Sequence, residues 1–122
     1  MNEKILIVDD ERDIMELMMA SLRRKGYQVR GTLTCSEGLE IFYSFKPDLV
    51  LLDINVGDED GRKVCSEIKS QAIYQNIPVI MVSANDEGLQ DYHEYGANDF
   101  LHKPFTLSIL EALCVKHLNP VK

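Results

Sequence analysis

Residues 5–10 read Ile5-Leu6-Ile7-Val8-Asp9-Asp10: four branched apolar residues stopped by two acids. Four apolar residues are too few for a buried helix, a signal-peptide core or a membrane span. Their apolarity is continuous rather than alternating, which indicates a strand covered on both faces, as in a parallel sheet. The same pattern returns at Leu49–Leu52, closed by Asp53, and at Val79–Val82, closed by Ser83. Tyr27–Gly31 and Asp99–Leu101 are weaker strands, placed nearer the sheet edges.

Helical patterns fill the intervals. Ile14, Leu17, Met18 and Leu22 fall at three- and four-residue spacing, with Gly26 as the stop. Thr34 and Glu37 read as a capping box before Leu39, Phe42 and Tyr43. Asp60 is placed to cap a helix carrying Val64, Ile68 and Ala72, and Asp86 a short one carrying Leu89 and Tyr92, closed by Gly96. Thr106 opens the last, with Ile109, Leu110 and Leu113 inward and Asn119-Pro120 as its end. Strand and helix therefore alternate five times without a linker. This predicts one (βα)5 domain over residues 1–122, and right-handed crossovers make it a doubly wound, three-layer α/β sandwich.

The whole-chain numbers bound its partners. With 13 Lys+Arg against 20 Asp+Glu, the formal charge is −7, which argues against a basic face that grips nucleic acid. Cys35, Cys65 and Cys114 lack a C-x-x-C pair or a histidine at ligand spacing, so they read as buried thiols in a reducing compartment. The expectation is a cytoplasmic protein that contacts no membrane.

In open parallel sheets ligands bind where the strands end. Here the strands end in Asp9 and Asp10, in Asp53 and in Ser83, with Lys103 just past the fifth. Carboxylates that converge repel one another unless something neutralises them. The natural neutraliser is a hard divalent cation: Mg²⁺ takes one or two carboxylates, waters and a phosphoryl oxygen. Lys103 and Ser83 then suit the remaining oxygens of a phosphoryl group, the ammonium as a point charge and the hydroxyl as a donor.

Asp9-Asp10 after an apolar strand, Lys46-Pro47-Asp48 leading to Leu52-Asp53, Ser83-Ala84, Gly96-Ala97 and Lys103-Pro104-Phe105 occur in that order along the chain. Together they resemble the receiver domain of two-component response regulators, of the chemotaxis type. The resemblance implies a flavodoxin-like five-stranded parallel sheet of order 2-1-3-4-5 and a signalling phosphoacceptor rather than an enzyme. By that resemblance Asp53 accepts the phosphoryl group from a histidine kinase or a histidine phosphotransfer protein. Asp9, Asp10, Asp53 and the backbone carbonyl of Asn55 hold Mg²⁺, or Mn²⁺ in its place. Lys103 pairs with the phosphoryl group, Ser83 donates to it, and Ser83 and Phe100 form the switch toward an output domain or protein. Autodephosphorylation returns the resting state.

Other readings of the same residues stand beside these. Lys103 before a proline reads equally as a surface residue, Ser83 as a helix cap and Phe100 as core. Asp58-Glu59-Asp60 reads as a solvated turn and cap, and His93, His102 and His117 as surface or helix-end residues. Met15, Met18 and Met19 suggest an adaptable stripe on the first helix, a face receivers use to meet histidine-containing partners, although packing explains Met18. Two departures from the family pattern are Gly57, where a proline is usual four residues after the acceptor, and a slightly short stretch from Ser83 to Gly96. The competing function is a phosphorylation-independent interaction module. A flavodoxin-type carrier is disfavoured by Asp9-Asp10-Glu11 in place of a phosphate loop, and a dehalogenase-like phosphatase by Asn55 in place of a second Asp.

Overall fold

The computed structural model describes residues 2–85 and 90–119. Each expected strand forms: β1 (Lys4–Val8), β2 (Gln28–Thr32), β3 (Leu49–Asp53), β4 (Val79–Ser83) and β5 (Asp99–His102). They build one five-stranded sheet in the order β2-β1-β3-β4-β5, every pair parallel. The register sets Val8 beside Leu52 and Asp53 beside Val82, so the polar residues that close these strands gather along one edge.

The continuous apolar runs are explained by two cores. Ile5, Ile7, Leu49, Leu51, Ile80 and Val82 pack on one face against Met18, Leu22, Leu110 and Cys114. Leu6, Val8, Val50, Leu52, Val79 and Met81 pack on the other against Phe42, Cys65 and Ile68. Side chains alternate along each strand, but helices cover both faces, so no position is left for a polar residue. This is the expected three-layer sandwich.

The helices are α1 (Arg12–Arg24), α2 (Cys35–Phe45), α3 (Gly61–Lys69) and α4 (Leu107–Leu118). Thr34, Asp60 and Thr106 cap the last three, accepting from the backbone N–H of Glu37, Arg62 and Ile109. Gly26 and Gly96 sit at φ +102° and +91°, a conformation that only glycine adopts readily, just after α1 and after a 3₁₀ turn at Tyr92–Tyr95. The helix expected from Asp86 through Leu89 falls outside the described residues, as does Pro120.

Four details differ from the sequence reading. Leu17, expected inward, is 60% exposed. Met15, Met18 and Leu22 face the sheet, and Leu17 lies about 200° round the helix from Met15. Met15 and Met19 lie against Gly31, where a Cβ would meet both sulfurs, so the methionine stripe is packing rather than a partner surface. Ile109 is likewise exposed, because Leu110 and Cys114 define the inner face of α4. Ala72 is not on α3: the Lys69 ammonium donates to the carbonyls of Gln75 and Ile77, folding the chain back into a 3₁₀ turn at Ala72–Tyr74.

A two-residue hairpin separates β3 from α3, pairing Asn55 with Asp60 and Val56 with Glu59. It ends at Gly61, whose N–H donates to the Ile54 carbonyl and whose Cα faces the Asp53 carbonyl so closely that a Cβ would collide with it. Gly61→Ala is therefore expected to cost about 2–3 kcal/mol in chemical denaturation, since the obstacle is backbone and has nowhere to retreat. A loss under about 0.5 kcal/mol would count against this close approach.

Candidate functional site

The carboxyl ends of β1, β3, β4 and β5 border a cleft of about 290 Å³, lined by Asp10, Glu11, Asp53, Asn55, Ser83 and Lys103 among others. Asp9 and Asp53 are almost wholly buried at the ends of their strands, 1% and 5% exposed, while Asp10 is exposed. Oxygens of these three carboxylates lie within 4.8 Å of one another.

Lys103 is carried to this point by the chain leaving β5. Its N–H donates to the Ser83 carbonyl at 2.9 Å, and its ammonium reaches Asp53 Oδ2 at 2.8 Å, Asp9 Oδ2 at 3.1 Å and Glu11 Oε1 at 2.9 Å. The other carboxylate oxygens are held by backbone amides. Asp9 Oδ1 accepts from Glu11 N at 2.9 Å, Asp53 Oδ1 from Asn55 N at 3.0 Å, and Asp10 Oδ2 from Gly57 N at 3.0 Å. Ser83, also buried, accepts the Asn85 amide on Oγ at 2.9 Å.

The charges do not balance. Among the described residues Asp9, Asp53 and Glu11 share the Lys103 ammonium, and Asp10 adds a further carboxylate close to Asp9 and Asp53. Two like charges at that separation repel by about 3 kcal/mol at an effective dielectric of about 20. Burial accordingly pushes the Asp9 carboxyl above its ordinary range, more than the Glu11 amide and Lys103 pull it down. For Lys103, burial works against the ammonium, but hydrogen bonds to Asp53 and Glu11 and the nearby Asp9 outweigh it and hold its pKa above the usual value. The donor set is all oxygen, anionic and in excess of the internal cation, which fits a hard divalent ion.

The fold thus brings Asp9, Asp10, Asp53, Asn55, Ser83 and Lys103 together. Phe100 stands apart: it is 43% exposed, so it is not core, and its ring centroid lies 5.3 Å from that of Tyr92 on the outer side of β5. Two contributors were not foreseen as such. In sequence Glu11 is one of a run of acids and Gly57 a departure from the family pattern; neither an exposed acid nor a backbone amide signals its partner there. Asp60 caps α3 and pairs with Arg62, and Glu59 Oε1 accepts the Cys35 N–H at 2.9 Å, so both are occupied away from the cleft. His117, expected as a surface or helix-end residue, lies in the last turn of α4 and pairs with Asp99 at 2.8 Å. The three cysteines are buried, and burial drives their thiols up to about 11 for Cys35 and Cys65 and about 12 for Cys114, which leaves them unreactive.

Comparison with known proteins identifies the arrangement. Residues 5–114 match the family described as response regulator receiver domain. The alkaline phosphatase synthesis transcriptional regulatory protein PhoP of Bacillus subtilis is 38% identical over 108 residues, covering 87% of this chain and 44% of that protein. This chain therefore spans less than half the length of that relative. Among solved structures, a putative response regulator from Chloroflexus aurantiacus superposes with a TM-score of 0.90 at 28% identity, over 97% of this chain and 98% of that one. The receiver domain of NtrX from Brucella abortus gives 0.86 at 33% identity, over 96% and 99%.

The shared ammonium leads to an expected outcome. In metal-free buffer Lys103→Met leaves Asp9 and Asp53 buried without a counter-charge and lowers stability by about 3 kcal/mol. Millimolar Mg²⁺ restores part of that loss. A variant as stable as the unmodified protein would show that the carboxylates are relieved in another way.

Proposed function

Because this chain belongs to the response regulator receiver domain family, we propose that it is a phosphoacceptor of a two-component phosphorelay, with Asp53 as the acceptor. The reading rests above all on one observation: a single ammonium lies 2.8 Å from the buried Asp53 and 3.1 Å from Asp9, inside a ring of carboxylates.

The Asp53 carboxylate attacks the phosphorus of a phosphohistidine. A P–O bond forms, the P–N bond breaks, and the imidazole leaves with the electron pair. The product is a mixed anhydride, and water later hydrolyses it to return Asp53 and inorganic phosphate. A carboxylate is already ionised at neutral pH, so the work of the site is positioning and charge management. Asp9, Asp10, Asp53 and the Asn55 backbone carbonyl would hold a Mg²⁺ or Mn²⁺ ion, which neutralises their charge and that of the phosphoryl oxygens when bound. Lys103 transfers its contact from Asp53 to a phosphoryl oxygen. Ser83 donates its hydroxyl hydrogen to another, a hydrogen left available while Oγ accepts from Asn85. Ala84, being small, keeps the approach open.

Phosphorylation adds a charge of about −1.5 to −2. As Ser83 is drawn to the new oxygens, Phe100 turns inward, reshaping the face toward an output domain or protein. The domain itself works in the cytoplasm and contacts neither nucleic acid nor membrane.

The donor protein docks beside the cleft. An apolar groove of about 430 Å³ runs between α1 and the start of α4, lined by Ile14, Leu17, Met18, Pro104, Phe105 and Leu107, and it shares Glu11, Ala84 and Lys103 with the cleft. The partner face of α1 is thus Ile14 and Leu17, with the buried Met18 beneath them, rather than Met15 and Met19. The phosphorylation-independent alternative has no use for an acid ring and an ammonium held at these distances.

Incubation with acetyl phosphate and Mg²⁺ is expected to add one acid-labile phosphoryl group, seen by intact mass. Asp53→Asn or chelation of the metal abolishes the gain. No gain in the unmodified protein would favour the interaction module. Leu17→Asp is expected to slow transfer from a phosphohistidine-bearing donor protein about tenfold more than transfer from acetyl phosphate. Equal slowing of both would remove the groove from the account.

A further inference from the structure

Asp9 and Asp53 are each tied to Lys103, but Asp10 is not. Its carboxylate is exposed, and the hydrogen bond it makes among the described residues comes from the Gly57 backbone N–H, 3.0 Å from Oδ2. Gly57 opens the two-residue turn of the hairpin at φ +60°. A proline, the usual residue at this position of the family pattern, is fixed near φ −65° and has no N–H, so it could neither take this turn nor make this bond. Side-chain space is not the constraint, because a Cβ at Gly57 would meet nothing within 4 Å.

The hairpin is itself anchored. Glu59 accepts the Cys35 N–H at the start of α2, Asp60 caps α3, and the Gly61 N–H donates to the Ile54 carbonyl. From this base two amides, two residues apart, each take one carboxylate oxygen: Asn55 N–H holds Asp53 Oδ1 and Gly57 N–H holds Asp10 Oδ2.

We propose that Gly57 is a positioning residue of the metal site: its backbone N–H fixes the Asp10 carboxylate by one oxygen and leaves the other directed to a divalent cation. This rests on the phosphoacceptor reading above and deepens it. Carboxylates that bind metals are themselves hydrogen-bonded, and losing such an outer partner typically weakens metal binding by about 10–100-fold. In this chain the partner is a main-chain amide, a donor that a proline at position 57 would lack.

Mn²⁺ binding, followed by the electron paramagnetic resonance of the free ion, tests this on the unmodified protein, Gly57→Pro, Gly57→Ala and Asp10→Asn. Gly57→Pro is expected to weaken binding about tenfold. Gly57→Ala keeps the N–H at a strained φ and falls between Gly57→Pro and the unmodified protein. Amide hydrogen exchange of the unmodified protein gives a readout that needs no variant: Gly57 stays protected when Mg²⁺ is bound. Equal affinities for the unmodified protein and Gly57→Pro, or loss of Gly57 protection on adding Mg²⁺, would overturn the proposal; the second result would mean that the ion displaces the amide. If Gly57→Pro fails to fold, the exchange measurement decides. Binding that Asp10→Asn abolishes but Gly57→Pro leaves intact sinks this inference alone. No Mn²⁺ binding by the unmodified protein sinks the phosphoacceptor reading with it.

Discussion

Like charges that the fold forces together govern this protein. β1 and β3 run parallel, in register, and end in acids, so the geometry that packs Val8 beside Leu52 also places Asp9 near Asp53. Neither carboxylate can reach water easily, and Lys103 is the internal answer to both. The position of Lys103 depends in turn on β5 lying beside β4, because its own N–H is held by the Ser83 carbonyl. One ammonium therefore couples three strand ends, and it leaves negative charge uncompensated. That residue of charge makes the site receptive to an external cation.

Backbone groups do as much here as side chains. Asp9, Asp10 and Asp53 each rest one oxygen on an amide from a following or neighbouring loop. Such donors have no side-chain rotamers to freeze, so once the loop is folded they orient a carboxylate at little further entropic cost. They also make the loops after β1 and β3 part of the site, and the contact of Gly61 with the Asp53 carbonyl continues this into the core.

The layout was legible in sequence to the extent that it rests on periodicity. Continuous apolar runs can only be strands covered on both faces, and the polar residues that stop them had to gather along one edge, so Asp9, Asp53 and Ser83 could be placed before any coordinates. The parts that were misread share a cause. On α1, Ile14-Leu17 and Met15-Met18-Leu22 are overlapping stripes, and spacing alone does not say which meets the sheet. The position of Gly31 on β2, open enough for two thioethers, decides it. Glu11 and Lys103 are separated by 92 positions and no pattern links them. The Gly57 amide left no trace because the donor is a main-chain group that every residue but proline carries, and nothing in the sequence pairs it with the Asp10 carboxylate. On Asp99 and His117, too, a pair was missed because its members lie on different elements, β5 and α4.

The partition between the apolar groove and the polar cleft is built from Glu11, Ala84 and Lys103, which belong to both. If the groove seats the donor protein as proposed, recognition and reactivity share one wall in this chain. A substitution in that wall which suits a new partner also resets the charge and access at Asp53, and one that tunes the chemistry alters what the groove will admit. On that proposed reading, a change of partner that leaves the acid cleft untouched falls on groove residues outside the shared wall, such as Leu17 and Leu107.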